Sequence, residues 1–158
     1  MYSGIDREVV VDSKTLIVAI DLAKGKNIVY ARKVQGPDSI LGCFTHRRPE
    51  YQRVYEKIIK FKNKNECCNV IVAMESTSVY GIPLQQFLMD KPLTLVLVNP
   101  LHVKRAKEIT DNSPNKSDEK DPKVMADLVQ FRRFLSVVIP EGIEADLRHL
   151  THARERAL

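Results

Sequence analysis

The hydrophobic pattern alternates between unbroken apolar runs and segments in which apolar residues recur at helical spacing. Unbroken runs of this kind are typical of strands buried on both faces, and they occupy residues 15–20, 70–74 and 93–98. Two further β-rich segments, 28–34 and 39–45, follow turn signals at Gly25 and at Gly36-Pro37. Residues 15–45 therefore predict three strands joined by hairpins.

Helical spacing begins at four places, each marked by a residue that favours a helix start. These helices are predicted to begin at Pro49, near Val79 or Tyr80, after Asn99-Pro100, and at Asp121-Pro122. Residues 110–120 lose all periodicity and predict a mobile loop. The order of elements predicts an α/β, ribonuclease H-like fold, with a mixed central sheet flanked by helices.

Composition places the chain among ordinary folded domains. Its 158 residues are 44% hydrophobic and 28% charged, which excludes a disordered chain, and no apolar run is long enough to span a bilayer. Three cysteines, Cys43, Cys67 and Cys68, cannot all pair, which favours a reducing cytoplasm and free buried thiols over a zinc site with His46. The net charge of +5 permits a polyanionic partner.

Two of the buried runs end in a carboxylate. Asp21 follows the first run and Glu75 follows the second, so adjacent strands would bring both acids to one edge of the sheet. The helix that begins near Asp121 would bring Asp118 and Asp121 to the same edge. Four clustered carboxylates repel one another, and hard oxygen ligands without histidine or cysteine select Mg²⁺ or Mn²⁺.

Each acid also has a simpler interpretation when it is taken alone. Asp21 and Glu75 are individually more often surface or capping residues, Asp121 is a helix cap, and Asp118 is a loop acid. Two acids that end two buried strands, followed by an acid pair that opens a helix, form a much rarer combination. We interpret the four together as a two-metal site for displacement at phosphate.

Basic residues near these acids suit contacts with nucleic-acid phosphates, although any one of them is more often a solvated charge. The candidates are Lys24, Lys26, Lys104, Arg105, Lys107, Lys116, Lys120 and Lys123. Aromatic residues are sparse and tryptophan is absent, so the sequence does not predict a platform on which bases stack.

Four motifs carry a resemblance to a known family, and they occur in the family's order across almost the whole chain. They are residues 19–24 (AIDLAK), 74–80 (MESTSVY), 98–104 (VNPLHVK) and 116–121 (KSDEKD). The chain resembles the insertion-sequence-110 transposases, which include the Piv-type DNA invertases. The resemblance implies a RuvC-like domain whose Mg²⁺-binding, catalytic D-E-D-D tetrad is Asp21, Glu75, Asp118 and Asp121.

The resemblance also implies DNA transposition by strand cleavage and transfer, guided by a structured RNA. Whole family members carry a C-terminal domain with a nucleophilic serine. We expect residues 1–140 to form the RuvC-like domain and residues 141–158 to begin a linker helix towards that domain. The apolar rhythm of Ile143, Leu147, Leu150 and Leu158 predicts self-association through this helix.

Other functions use some of the same residues. A stand-alone RuvC-like nuclease or Holliday-junction resolvase needs the same acids, and a non-cutting nucleic-acid-binding module needs only the basic surface. A nucleotide-binding domain of the actin and sugar-kinase type would use residues 21–25 as a phosphate loop, but Gly25 alone is too few glycines for such a cradle.

Overall fold

The computed structural model describes residues 9–110 and 120–136, which form one six-stranded sheet with helices on both faces. The strands are β1 (Thr15–Asp21), β2 (Asn27–Lys33), β3 (Asp38–Phe44), β4 (Asn69–Glu75), β5 (Thr94–Val98) and β6 (Leu135–Ser136). The helices are α1 (Arg48–Lys64), α2 (Ile82–Met89), α3 (Pro100–Thr110) and α4 (Lys120–Gln130), with a 3₁₀ turn at Val79–Gly81.

The strand order is β3-β2-β1-β4-β5-β6. Strands β1, β2 and β3 form an antiparallel meander, whereas β1, β4 and β5 run parallel to one another. The short strand β6 pairs antiparallel with β5. This mixed sheet, with β1 and β4 side by side, is the ribonuclease H-like arrangement that the order of elements predicted.

Strand β1 lies at the centre of two hydrophobic cores. Its residues Leu16 to Ile20 have no solvent exposure, and they alternate between the two faces of the sheet. Leu16, Val18 and Ile20 pack with α1 and α2 on one face. Ile17 and Ala19 pack with α3 and α4 on the other. Because both faces are covered, the unbroken apolar sequence of β1 is required by its surroundings.

Helix α4 begins one residue earlier than the sequence predicted. It begins at Lys120, so Asp121 lies in its first turn rather than at the capping position before it. It ends at Gln130, and the next residue, Phe131, is 74% exposed although its side chain is apolar. The chain turns away there, since Arg132 adopts a left-handed conformation with φ of 59°.

Two smaller features differ from what the residue types favour. Serine is a favoured capping residue and Ser78 precedes the 3₁₀ turn, but its side chain makes no capping hydrogen bond. Cys67 is buried, whereas Cys43, on the outermost strand β3, and Cys68, in the loop before β4, are exposed free thiols. The predicted loop 110–120 is described only at its two ends, and residues 137–158 lie outside the described part of the chain. None of the helices within the described ranges combines the length and apolarity needed to cross a bilayer.

The packing of α4 on the sheet can be tested with two substitutions on the same helix. Met125 is fully buried between α4 and the sheet, whereas Leu128 is only partly buried against the same core. We expect Met125→Ala to lower the free energy of unfolding by about 2–5 kcal/mol, because it removes buried atoms and leaves a cavity. Urea unfolding would measure the loss, and an equal loss for the control Leu128→Ala would contradict this packing.

Candidate active site

Asp21 and Glu75 lie side by side because of the pairing between β1 and β4. The two strands run parallel, with Ala19 opposite Ala73, and each strand ends two residues later at its acid. Both side chains are half-buried at the carboxyl edge of the sheet. This edge is where α/β folds place reactive groups, since the buried strands fix the positions of the residues that end them.

Asp121 reaches the same region from the first turn of α4. Its carboxylate forms an ion pair with the ammonium group of Lys107, which comes from the last turn of α3. Both side chains are about two-thirds buried, with exposures of 33% and 37% respectively. Lys107, which the sequence suggested as a phosphate contact, therefore already neutralises one of the candidate carboxylates.

The electrostatics of Glu75 show that the carboxylates influence one another. Burial raises the pKa of Glu75, and the negative charges of Asp21 and Asp121 raise that pKa further. The positive charge of Lys107 acts in the opposite direction and lowers the pKa. Residues from β1, β4, α3 and α4 thus form one interacting charge cluster, which we call the acidic edge: Asp21, Glu75, Lys107 and Asp121.

The acidic edge has the donor chemistry of a Mg²⁺ or Mn²⁺ site. Its three carboxylates are hard oxygen donors, and the pKa of Glu75 is raised by burial first and then by the negative charges of Asp21 and Asp121. Within residues 9–110 and 120–136, no three or more histidine, cysteine, aspartate or glutamate side chains are grouped closely enough to hold a metal ion. The residues fit such an ion chemically, and Lys107 supplies a positive charge among them.

The other predicted site residues are one acid, Asp118, and the basic residues suggested as phosphate contacts. Asp118 and Lys116 lie outside the described residues, as does the side chain of Lys120. Lys24 and Lys26 are exposed in the turn after Asp21, and Lys104 and Arg105 are exposed on α3. Lys123 is exposed on α4, with its ammonium nitrogen 6.0 Å from the centre of the Tyr30 ring. The zinc interpretation is not supported, because His46 bonds a backbone carbonyl, that of Ala23.

One positioning residue was missed by sequence reasoning. Asn27 is fully buried, and its side-chain oxygen accepts a hydrogen bond from the Ala23 amide at 2.9 Å. Its side-chain nitrogen donates to the Phe44 carbonyl at 3.1 Å. These bonds fix the turn that follows Asp21. Only a polar residue at the start of a β-rich segment signalled this role in the sequence, and such a signal is too common to be specific.

The sheet order is that of a ribonuclease H-like fold, and three acids, Asp21, Glu75 and Asp121, lie near its carboxyl edge. The model of the DEDD transposases of the insertion-sequence-110 group, a family described as transposase, matches residues 18–158. The chain belongs to this transposase family.

A solved structure of T. thermophilus RuvC in complex with Holliday junction substrate is similar to this chain. The two share 10% sequence identity with a TM-score of 0.47, over 78% of this chain and 99% of that chain. A comparison with curated proteins finds no match.

The raised pKa of Glu75 gives a prediction about pH. Ionising Glu75 is less favourable in the folded chain than in the unfolded chain, so this residue costs stability as the pH rises through its folded pKa. Below the ordinary carboxyl pKa both states are protonated and the cost disappears. In metal-free buffer we expect Glu75→Gln to melt at a higher temperature than the unsubstituted protein at pH 7.

The same melting curves should coincide near pH 3.5, below the ordinary pKa of a glutamate. Glu56→Gln is the matched control, because Glu56 is an exposed acid on α1. The prediction would be contradicted if Glu75→Gln melted below the unsubstituted protein at pH 7, while the two melted together near pH 3.5.

Proposed function

We propose that this chain is the catalytic domain of a transposase that cuts and transfers DNA strands with divalent cations held by Asp21, Glu75, Asp118 and Asp121. The observation that carries the proposal is the electrostatic cluster of Asp21, Glu75 and Asp121 at one edge of the sheet, in a chain of the transposase family. Asp118, three residues before Asp121, is assigned by the family motif alone.

The two strand-end acids would act as the fixed part of the site. Asp21 and Glu75 belong to adjacent buried strands, so the sheet holds their carboxylates without help from a ligand. When bound, Mg²⁺ or Mn²⁺ would polarise the attacking oxygen and stabilise the leaving oxygen of an in-line displacement at phosphate. Asp121 would become a further ligand once the cation replaces the ammonium group of Lys107 as its partner.

The proposal includes the partners that this chemistry needs. Exposed cations on the turn after Asp21 and on α3 would contact DNA phosphates and make binding depend on salt. A structured guide RNA would select the DNA by base pairing, while this domain contacts backbone. We also propose a cytoplasmic location, which the three free thiols support, and self-association through residues 141–158.

Strand exchange needs a step that conserves the phosphodiester bond energy, and a covalent intermediate does this. We place the nucleophile of that step in the serine-carrying domain that the family resemblance implies. Residues 1–158 would then bind metal and nucleic acid but would not join donor and target DNA by themselves. Formation of joined product by these residues alone, with Mg²⁺, guide RNA and both DNAs, would overturn this division of labour.

Metal binding provides the direct test of the proposed site. Mg²⁺ or Mn²⁺ at 100 times its dissociation constant should stabilise the folded chain by about 2.7 kcal/mol through linkage. We expect Asp21→Asn and Glu75→Gln to abolish the rise in melting temperature, because each removes an oxygen ligand. Glu56→Gln, which changes an exposed acid on α1, should keep the full rise, and equal rises in all variants would refute the site.

Lys107 gives a second, independent test. In the metal-free protein, Lys107→Met should lower the free energy of unfolding by up to about 1 kcal/mol, because the partly exposed ion pair with Asp121 is lost. The same variant should show a larger rise in melting temperature with Mg²⁺, because no ammonium group competes for Asp121. Lys104→Met, which changes an exposed residue on the same helix, is the control. A smaller metal response in Lys107→Met would show that Lys107 supports the metal instead.

A further inference from the structure

An open groove of about 1020 Å³ lies between the turn that follows β1, the start of α1 and helix α2. Two of its lining segments come directly from the acidic edge. Lys24 lies three residues after Asp21, and Tyr80 lies five residues after Glu75. The groove therefore begins where the chain leaves the two strand-end carboxylates.

The wall of the groove next to Asp21 is held in place by hydrogen bonds to both backbone polar groups of one residue, Ala23. The amide of Ala23 donates to buried Asn27, and the carbonyl of Ala23 accepts a hydrogen bond from Nε2 of His46 at 2.7 Å. Because a carbonyl can only accept, Nε2 of His46 carries the proton in this bond, and the bond also holds the ring in its orientation. Lys24 is the next residue along the chain, so its backbone starts from this fixed position.

Aromatic rings line the groove, although the sequence did not predict a stacking platform. The rings of His46 and Tyr80 are 5.8 Å apart and inclined by 32°, so His46 supports one side of Tyr80. Tyr80 is 41% exposed. Further along, the ring of Phe87 lies 5.9 Å from that of Tyr51. The sequence did not predict this group of rings, because the rings come from separate segments of the chain.

Gly81 allows the turn that carries Tyr80 to lie close to the strand end. A Cβ atom at this position would come within 2.6 Å of Cδ1 of Leu22, the residue that follows Asp21. With no side chain at Gly81, the turn after Tyr80 lies against the side chain of Leu22 without displacing it.

The groove is positively charged. Three basic side chains and one acidic side chain line it, so its formal charge is +2: Lys24, Arg48, Lys91 and Asp90. The ammonium nitrogen of Lys91 also lies 4.8 Å from the centre of the Phe87 ring. Cations beside one exposed aromatic ring, that of Tyr80, suit a strand whose phosphates are charged and whose bases are free to stack.

We propose that this groove binds an unpaired nucleic-acid strand, with a base stacked on the exposed part of Tyr80 and phosphates held by Lys24 and Arg48. Paired bases in a duplex are stacked on their neighbours and cannot cover the Tyr80 ring. The inference deepens the proposed function, since it assumes that the substrate or guide is nucleic acid. It does not depend on the carboxylates binding metal.

The test measures binding of fluorescently labelled oligonucleotides by anisotropy, in EDTA so that the acidic edge plays no part. The probes are a single strand of DNA, the same sequence in RNA, and the corresponding duplexes. We expect the single strand to bind more tightly than its duplex, and the DNA and RNA arms show which strand is preferred. Tyr80→Ala should weaken single-strand binding about 5- to 150-fold, the range that base stacking on an aromatic ring gives.

Matched variants separate stacking from charge and from folding. Tyr80→Phe keeps the ring and should stay within about twofold of the unsubstituted protein. Lys24→Gln should reduce the slope of log affinity against log salt by about 0.7, the value for one phosphate contact on a single strand. Lys60→Gln, an exposed residue of α1 outside the groove, should leave the slope unchanged. Melting curves verify that each variant is folded.

The proposal that the groove binds an unpaired strand would be overturned by either of two results. One is unchanged single-strand affinity in Tyr80→Ala, and the other is equal affinity for duplex and single strand. Altered self-association of Tyr80→Ala with unchanged strand binding would also overturn it and would indicate a protein contact at this surface. These results are distinguishable from failure of the proposed function. If metal does not stabilise the protein while Tyr80→Ala still weakens strand binding, the proposal of strand binding in the groove is supported and that of the metal site is refuted.

Discussion

The parallel pairing of β1 with β4 is the interaction on which the rest of the structure depends. It places the terminal acids of the two strands, Asp21 and Glu75, next to each other, at the ends of the buried runs 15–20 and 70–74. Helices cover both faces of these strands, so neither acid can move without disturbing a packed core. The segments that leave the same two strand ends then form the walls of the groove at Lys24 and Tyr80.

Placing acids together has an electrostatic cost, and the fold offsets part of it internally. The pKa of Glu75 is raised by burial and by its acidic neighbours, while Lys107 pairs with Asp121 and opposes that rise. A chain that needed these acids only for structure would gain by losing the repulsion. We propose that the three carboxylates are retained because they bind a cation, which would take the place of the Lys107 ammonium group beside Asp121.

The sequence predicted the sheet well because its signals are local. The unbroken apolar run before Asp21 and the hairpin turns specified β1, β2 and β3 to within about one residue, and the family motif identified the transposase. The pairing of Lys107 with Asp121 was not predictable, because it depends on how α3 lies against α4. The aromatic groove was missed for the same reason, since His46 and Tyr80 are distant in sequence and meet only in the folded chain.

The central claim is that the acidic edge is a divalent-cation site, and Mn²⁺ can locate it directly. A crystal of the protein grown with Mn²⁺ would reveal the ion by its anomalous scattering. We expect an anomalous peak in contact with Asp21 and Glu75, with Lys107 moved away from Asp121. A well-diffracting crystal with no peak at this edge and the ion pair between Lys107 and Asp121 intact would contradict it.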